Sequence, residues 1–174
     1  MGQKTILITG CSSGIGYDAA HGLARRGWRV FATCRKPADC TRLEAEGLES
    51  FPLDLASEES LGVAVADVLE RTGGRLDALF NNGAFAAPGL AADMPRAALR
   101  EVYETNVFGQ FDLINRLMPT FRAQGHGRVI NNSSVLGFIA LRARGAYVST
   151  NFAMEGLTDA YRIENDLPDL HFIL

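Results

Sequence analysis

Cysteine is scarce in this chain of 174 residues, occurring only at Cys11, Cys34 and Cys40 and never in a CxxC pair. An odd number at that spacing gives neither a disulfide framework nor a zinc ribbon. Histidine is equally sparse: His21, His126 and His171 stand apart from one another and from the cysteines, so no metal site is expected. No apolar run approaches the roughly 18 residues that a membrane span needs. The residues after Met1 lead straight into a strand-like run rather than the apolar core of a secretory signal, so a cytoplasmic location is expected. A basic excess is also missing, with 17 Lys and Arg against 20 Asp and Glu. The net charge of -3 provides no field to hold a nucleic-acid backbone.

What is present is an ordinary globular balance, 47% hydrophobic and 21% charged. The length suits one domain over residues 1–174. Short apolar runs at 5–9, 29–33, 49–53, 78–81, 128–133 and 170–174 alternate with helical patterns at 15–26, 41–46, 57–71, 95–123 and 146–165. That alternation predicts an α/β fold, a doubly wound parallel sheet of the Rossmann type in three α/β/α layers. Pro95 in a first turn and Gly125 just past the end punctuate the long fourth helix.

The first strand runs into Thr9-Gly10-Cys11-Ser12-Ser13-Gly14-Ile15-Gly16, which opens the first helix. Gly10 permits the tight turn, Gly14 admits a pyrophosphate close to the backbone, and Gly16 lets helix and sheet approach. The helix N-terminus adds unpaired N–H groups, and Ser12 and Ser13 add hydroxyls. No Gly-Lys-Ser/Thr follows, so a P-loop is excluded. The spacing GxxxGxG behind Thr9 resembles the TGxxxGxG motif of short-chain dehydrogenase/reductases. Asn81-Asn82-Gly83-Ala84 resembles that family's NNAG segment with its last two residues exchanged, Asn106 matches its helix asparagine, and Ser134 and Tyr147 keep its serine-to-tyrosine spacing.

The resemblance implies a nicotinamide-dependent oxidoreductase of alcohols and carbonyls, acting on a small molecule and working as a homo-oligomer. It assigns Gly10, Ser12, Ser13, Gly14, Ile15, Gly16, Asp54, Leu55, Asn82 and Gly83 to the cofactor side. After the second strand the chain reads Thr33-Cys34-Arg35-Lys36. An acid there would accept the ribose 2′-OH of NAD, whereas Arg35 accommodates a 2′-phosphate, so NADP is expected over NAD. Asp54 is also placed to cap the following helix.

By the same resemblance Tyr147 is the acid/base, Ser134 holds the substrate oxygen and Asn106 supports a water relay. The family's lysine, four residues beyond the tyrosine, is replaced by Asn151. Positions i and i+4 share a helix face, so that lysine would lie beside Tyr147 and the nicotinamide ribose. Asn151 carries no charge, and weakened turnover is expected, more in oxidation than in reduction. A non-catalytic dinucleotide-binding or regulatory protein of the same fold is the alternative. In the family a substrate loop and a further strand follow the sixth strand, and both are expected to be absent here. The segments around Ser134 and Tyr147 also resemble retinol and 17β-hydroxysteroid dehydrogenase-like enzymes, which implies a bulky lipophilic alcohol.

Overall fold

The computed structural model describes residues 2–174. Six strands form one parallel sheet in the order β3-β2-β1-β4-β5-β6. They are β1 (Thr5–Ile8), β2 (Arg29–Cys34), β3 (Glu49–Pro52), β4 (Ala78–Asn81), β5 (His126–Asn131) and β6 (Asp169–Ile173). The helices between them are α1 (Gly14–Arg25), α2 (Pro37–Ala45), α3 (Glu58–Thr72), α4 (Arg96–Tyr103), α5 (Gln110–Gln124) and α6 (Gly145–Glu164). Strand order reverses between β1 and β4, so their C-terminal ends part and leave a crevice.

Strand alternation divides the core into two layers. Leu7, Phe31, Leu79, Val129, Leu170 and Phe172 point to one face and pack with α3 and α5 through residues such as Leu61, Val68, Leu113 and Phe121. Ile6, Ile8, Val30, Ala32 and Ala78 point to the other, where Ala20 of α1 and Leu43 of α2 cover them. The second cluster stops short of β5 and β6: on that face Arg128, His171 and Ile173 are exposed. Ile6, Ile15, Leu23, Phe80 and Ile130 line an apolar groove of about 590 Å³ there.

Several boundaries differ from the sequence reading. The pattern at 95–123 is not one uniform α-helix. A π-helical turn, Glu104–Gly109, separates α4 from α5. Pro95, with ψ 138°, caps α4 from outside rather than occupying its first turn. Gly125 does end α5 in the left-handed conformation, φ 75°. β5 begins at His126 and ends at Asn131, leaving Asn132 and Ser133 in the loop. α2 starts at Pro37, four residues before the expected 41, because proline fixes the first-turn φ and needs no N–H partner.

Candidate functional site

The crevice is floored by two turns that are bonded together. Gly10 turns the chain after β1 with φ 70°, where a side chain would be strained. A Cβ on Gly16 would stand 2.5 Å from Asn82 Nδ2 and 2.6 Å from the Gly10 carbonyl, so only hydrogen fits there. The Thr9 hydroxyl accepts from Asn82 N (3.0 Å) and Gly83 N (2.9 Å). The Asn82 amide donates back to the carbonyls of Thr9 (3.0 Å) and Gly10 (3.1 Å), and its Oδ1 accepts from Asn132 Nδ2 (3.0 Å). Beneath this, Asn81 donates to Asn131 Oδ1 and Asn131 to the Thr158 hydroxyl, each at 2.9 Å, tying β4, β5 and α6.

Above the floor lies a cleft of about 470 Å³, a volume typical of small-molecule sites. Gly10, Ser12, Ser13, Ile15, Arg35, Asp54, Leu55, Asn82 and Gly83 line it together. Gly14 and Gly16 do not line it; Gly16 is the buried helix–loop contact, and Gly14, φ 61°, is exposed. Asp54 is not the cap of α3, because Ser57 accepts from Ser60 N (3.2 Å) and fills that role. One Asp54 oxygen accepts from Ala56 N (3.0 Å) at the cleft wall.

Lys36, Asp39 and Thr105 line the same cleft and were not singled out from the sequence. For Lys36 and Asp39 the signal was present as the charge pattern following Arg35. Arg42 reaches across from α2 to donate to the Ser12 carbonyl at 2.7 Å. Only three-dimensional packing brings that pair together.

Ala84 lines both the cleft and a separate small cavity of about 10 Å³, roughly the space one water needs. Tyr147, Asn106 and Asn151 line it, with Ser133 rather than Ser134 at its edge. Asn106 sits in the π-helical turn, whose extra residue per turn re-aims it. Its side chain accepts from Phe85 N (3.0 Å) and donates to the Phe85 carbonyl (2.8 Å) and the Thr150 hydroxyl (3.3 Å). Asn151 is buried, and its Nδ2 donates 2.7 Å back to the Tyr147 carbonyl one turn earlier. The Ser134 hydroxyl accepts from Leu136 N (3.2 Å), capping the short turn Val135–Gly137. Beside it Ser133 donates to Glu155 Oε1 at 2.5 Å, which fastens the serine loop to α6. The loop then exposes Val135, Phe138, Ile139 and Leu141.

Among the described residues no group of three His, Cys, Asp or Glu side chains is placed to hold a metal ion. No helix among them is long and apolar enough to cross a membrane.

The chain is similar in sequence and fold to known proteins. The family described as short chain dehydrogenase matches residues 4–166. The chain is 41% identical over 162 residues to the uncharacterized oxidoreductase YbbO of Escherichia coli K12, an alignment covering 93% of this chain and 60% of that one. It is 32% identical over 171 residues to human retinol dehydrogenase 8, covering 92% of this chain and 54% of that protein. The crystal structure of a short-chain dehydrogenase from Streptomyces avermitilis superposes with a TM-score of 0.93 at 32% identity, covering 98% of this chain and 64% of that one. The chain thus spans little more than half the length of these curated relatives. With a family match across nearly its whole length and a shared six-strand core, it belongs to the short-chain dehydrogenase/reductase family.

Proposed function

We propose that residues 1–174 form one dinucleotide-binding domain of an NADP-dependent oxidoreductase that interconverts an alcohol and a ketone or aldehyde. The observation that carries this reading is that the glycine-floored cleft and the cavity lined by Tyr147 adjoin, with Ala84 lining both. The residues present suit a dinucleotide: the floor is closed to side chains at Gly10 and Gly16, while Gly14 opens α1 with free space above it. Nicotinamide, when bound, supplies the hydride.

Every other task falls to the chain's own groups. Backbone N–H groups at the start of α1, with Ser12 and Ser13, hold the pyrophosphate. Arg35 and Lys36, both exposed at the cleft wall, meet the 2′-phosphate, which favours NADP over NAD. Asp54 and Leu55 would hold the adenine, and Asn82 and Gly83 line the same cleft. The Tyr147 hydroxyl gives or takes the proton at the substrate oxygen, and the Ser134 hydroxyl orients that oxygen. Asn106 acts by holding the Phe85 backbone at the cleft mouth. The apolar loop carrying Phe138, Ile139 and Leu141 suits a bulky lipophilic substrate, in keeping with the name of the retinol dehydrogenase relative. Three buried free cysteines suit a reducing cytoplasm, and exposed Phe108, Phe111 and Phe152 on the α5/α6 side suit a homo-oligomer.

Asn151 favours a second reading, a dinucleotide-binding protein without turnover. Its amide is engaged by the Tyr147 carbonyl, and it places no charge beside the tyrosine. Titration with NADPH followed by NADPH consumption against a panel of lipophilic ketones separates the readings. Binding with turnover supports the oxidoreductase, binding alone supports the second reading, and no binding overturns both.

A further inference from the structure

The turn from β2 into α2 presents the cleft with more than two cations. Lys36 precedes α2, Pro37 starts it, and Asp39 N bonds the Lys36 carbonyl at 3.0 Å, so Asp39 lies in the first helical turn. An acid there is favoured by the helix dipole alone. Asp39 nonetheless lines the same cleft as Arg35, Lys36 and Ser12, with its side chain one-third exposed. A carboxylate in that place opposes a 2′-phosphate and tolerates a 2′-hydroxyl.

Arg42, one turn along α2, answers that charge. Its guanidinium stands 3.5 Å from Asp39 Oδ1 and 3.3 Å from Glu46 Oε1, and lies over the Tyr17 ring at 5.5 Å. Its Nη2 donates to the Ser12 carbonyl at 2.7 Å. Glu46 is shared with His21 Nε2 at 2.9 Å, and Arg42 forms an ion pair with Asp39. One side chain therefore spans the end of the cleft where Arg35 and Lys36 stand and the turn that floors its middle.

We propose that Asp39 and Arg42 set the discrimination between NADP and NAD: Asp39 opposes the 2′-phosphate, and Arg42 neutralises Asp39 while holding the Ser12 turn. This rests on the reading of the cleft as a nicotinamide dinucleotide site. Arg42 is a positioning residue, acting through Asp39 and Ser12, and the cofactor preference depends on this pair as well as on Arg35.

Direct titration of NADPH and NADH into the parent chain, Asp39→Asn, Arg42→Ala and the double variant tests it, followed by Trp28 fluorescence at low and high salt. Asp39→Asn should move the NADPH-to-NADH affinity ratio about three- to fivefold toward NADPH, the scale of one exposed charge. Arg42→Ala should move it about as far toward NADH, and the double variant should return close to the parent. Added salt should shrink all of these shifts. Arg42→Ala weakening both cofactors equally, with no recovery in the double variant, would make Arg42 a brace of the Ser12 turn and overturn the proposal. Unchanged ratios in all variants would overturn it too, while leaving the cofactor assignment standing. A parent chain that binds neither cofactor overturns both.

Discussion

At the scale of single residues, the proposed replacement of a lysine by Asn151 is open to a direct test. Asn151 is short enough for its amide to fold back onto the Tyr147 carbonyl at 2.7 Å, an arrangement an ammonium on a four-carbon stem does not share. Asn151→Lys places a cation one turn from the Tyr147 side chain, where it favours the phenolate and reaches the ribose. The expected outcome is faster alcohol oxidation, with the pH–rate profile displaced to lower pH, and a smaller gain in carbonyl reduction. Unaltered profiles in a variant that binds NADPH as well as the parent would remove Tyr147 from its role. The cysteines invite a separate test. Burial, reinforced by neighbouring thiols and for Cys34 by Asp39, pushes Cys11 and Cys34 up to about 12. Because the thiolate is the reactive form, a thiol-specific reagent at pH 8 should label the native chain slowly and all three cysteines promptly in denaturant.

Among the elements, the π-helical turn has the clearest energetic signature. Asn106 satisfies both the N–H and the carbonyl of Phe85 from within it, so Asn106→Ala strands two backbone groups next to the cleft. A loss of about 1–3 kcal/mol is expected, read as a lower denaturant midpoint at unchanged slope. The turn itself was not legible in the sequence, because residues 95–123 keep a continuous helical pattern and an inserted residue shifts the face without breaking the period. A partial signal lay in Gly109, whose missing side chain lets the turn approach the Leu55 backbone. The strands were legible as short apolar runs bounded by turn residues, and so was the glycine turn, whose chemistry is local. Ser133, Glu155 and Arg42 were not, because their partners lie 22 and 30 residues away and depend on how the helices pack.

At the scale of the whole molecule, the end of the sheet opposite the cleft bears on acid stability. Burial alone would raise Asp77, but bonds from the Thr5 N–H (2.7 Å), the Thr5 hydroxyl (3.0 Å) and His126 (3.3 Å) outweigh it and hold the carboxyl below its usual range. A depressed carboxylate contributes stability that is complete above its unfolded value, near pH 4, and is lost as pH falls through the lower folded value. Urea midpoints should therefore drop below pH 4, and Asp77→Asn should flatten that part of the curve. A different consequence follows from the bonded floor of the cleft, and it concerns chemical lifetime. Asn82 and Gly83 form an Asn-Gly pair, the sequence in which a backbone nitrogen most readily attacks the preceding side-chain amide and expels ammonia. Here the attacking Gly83 nitrogen is committed to the Thr9 hydroxyl, and the Asn82 amide is pinned by three partners. The native fold thus shields this pair, and its deamidation proceeds through opened molecules. Peptide mass spectrometry after storage should find deamidation at Asn82 rising with denaturant. Thr9→Val should accelerate it under native conditions, placing a new carboxylate under the turn where a phosphate would sit.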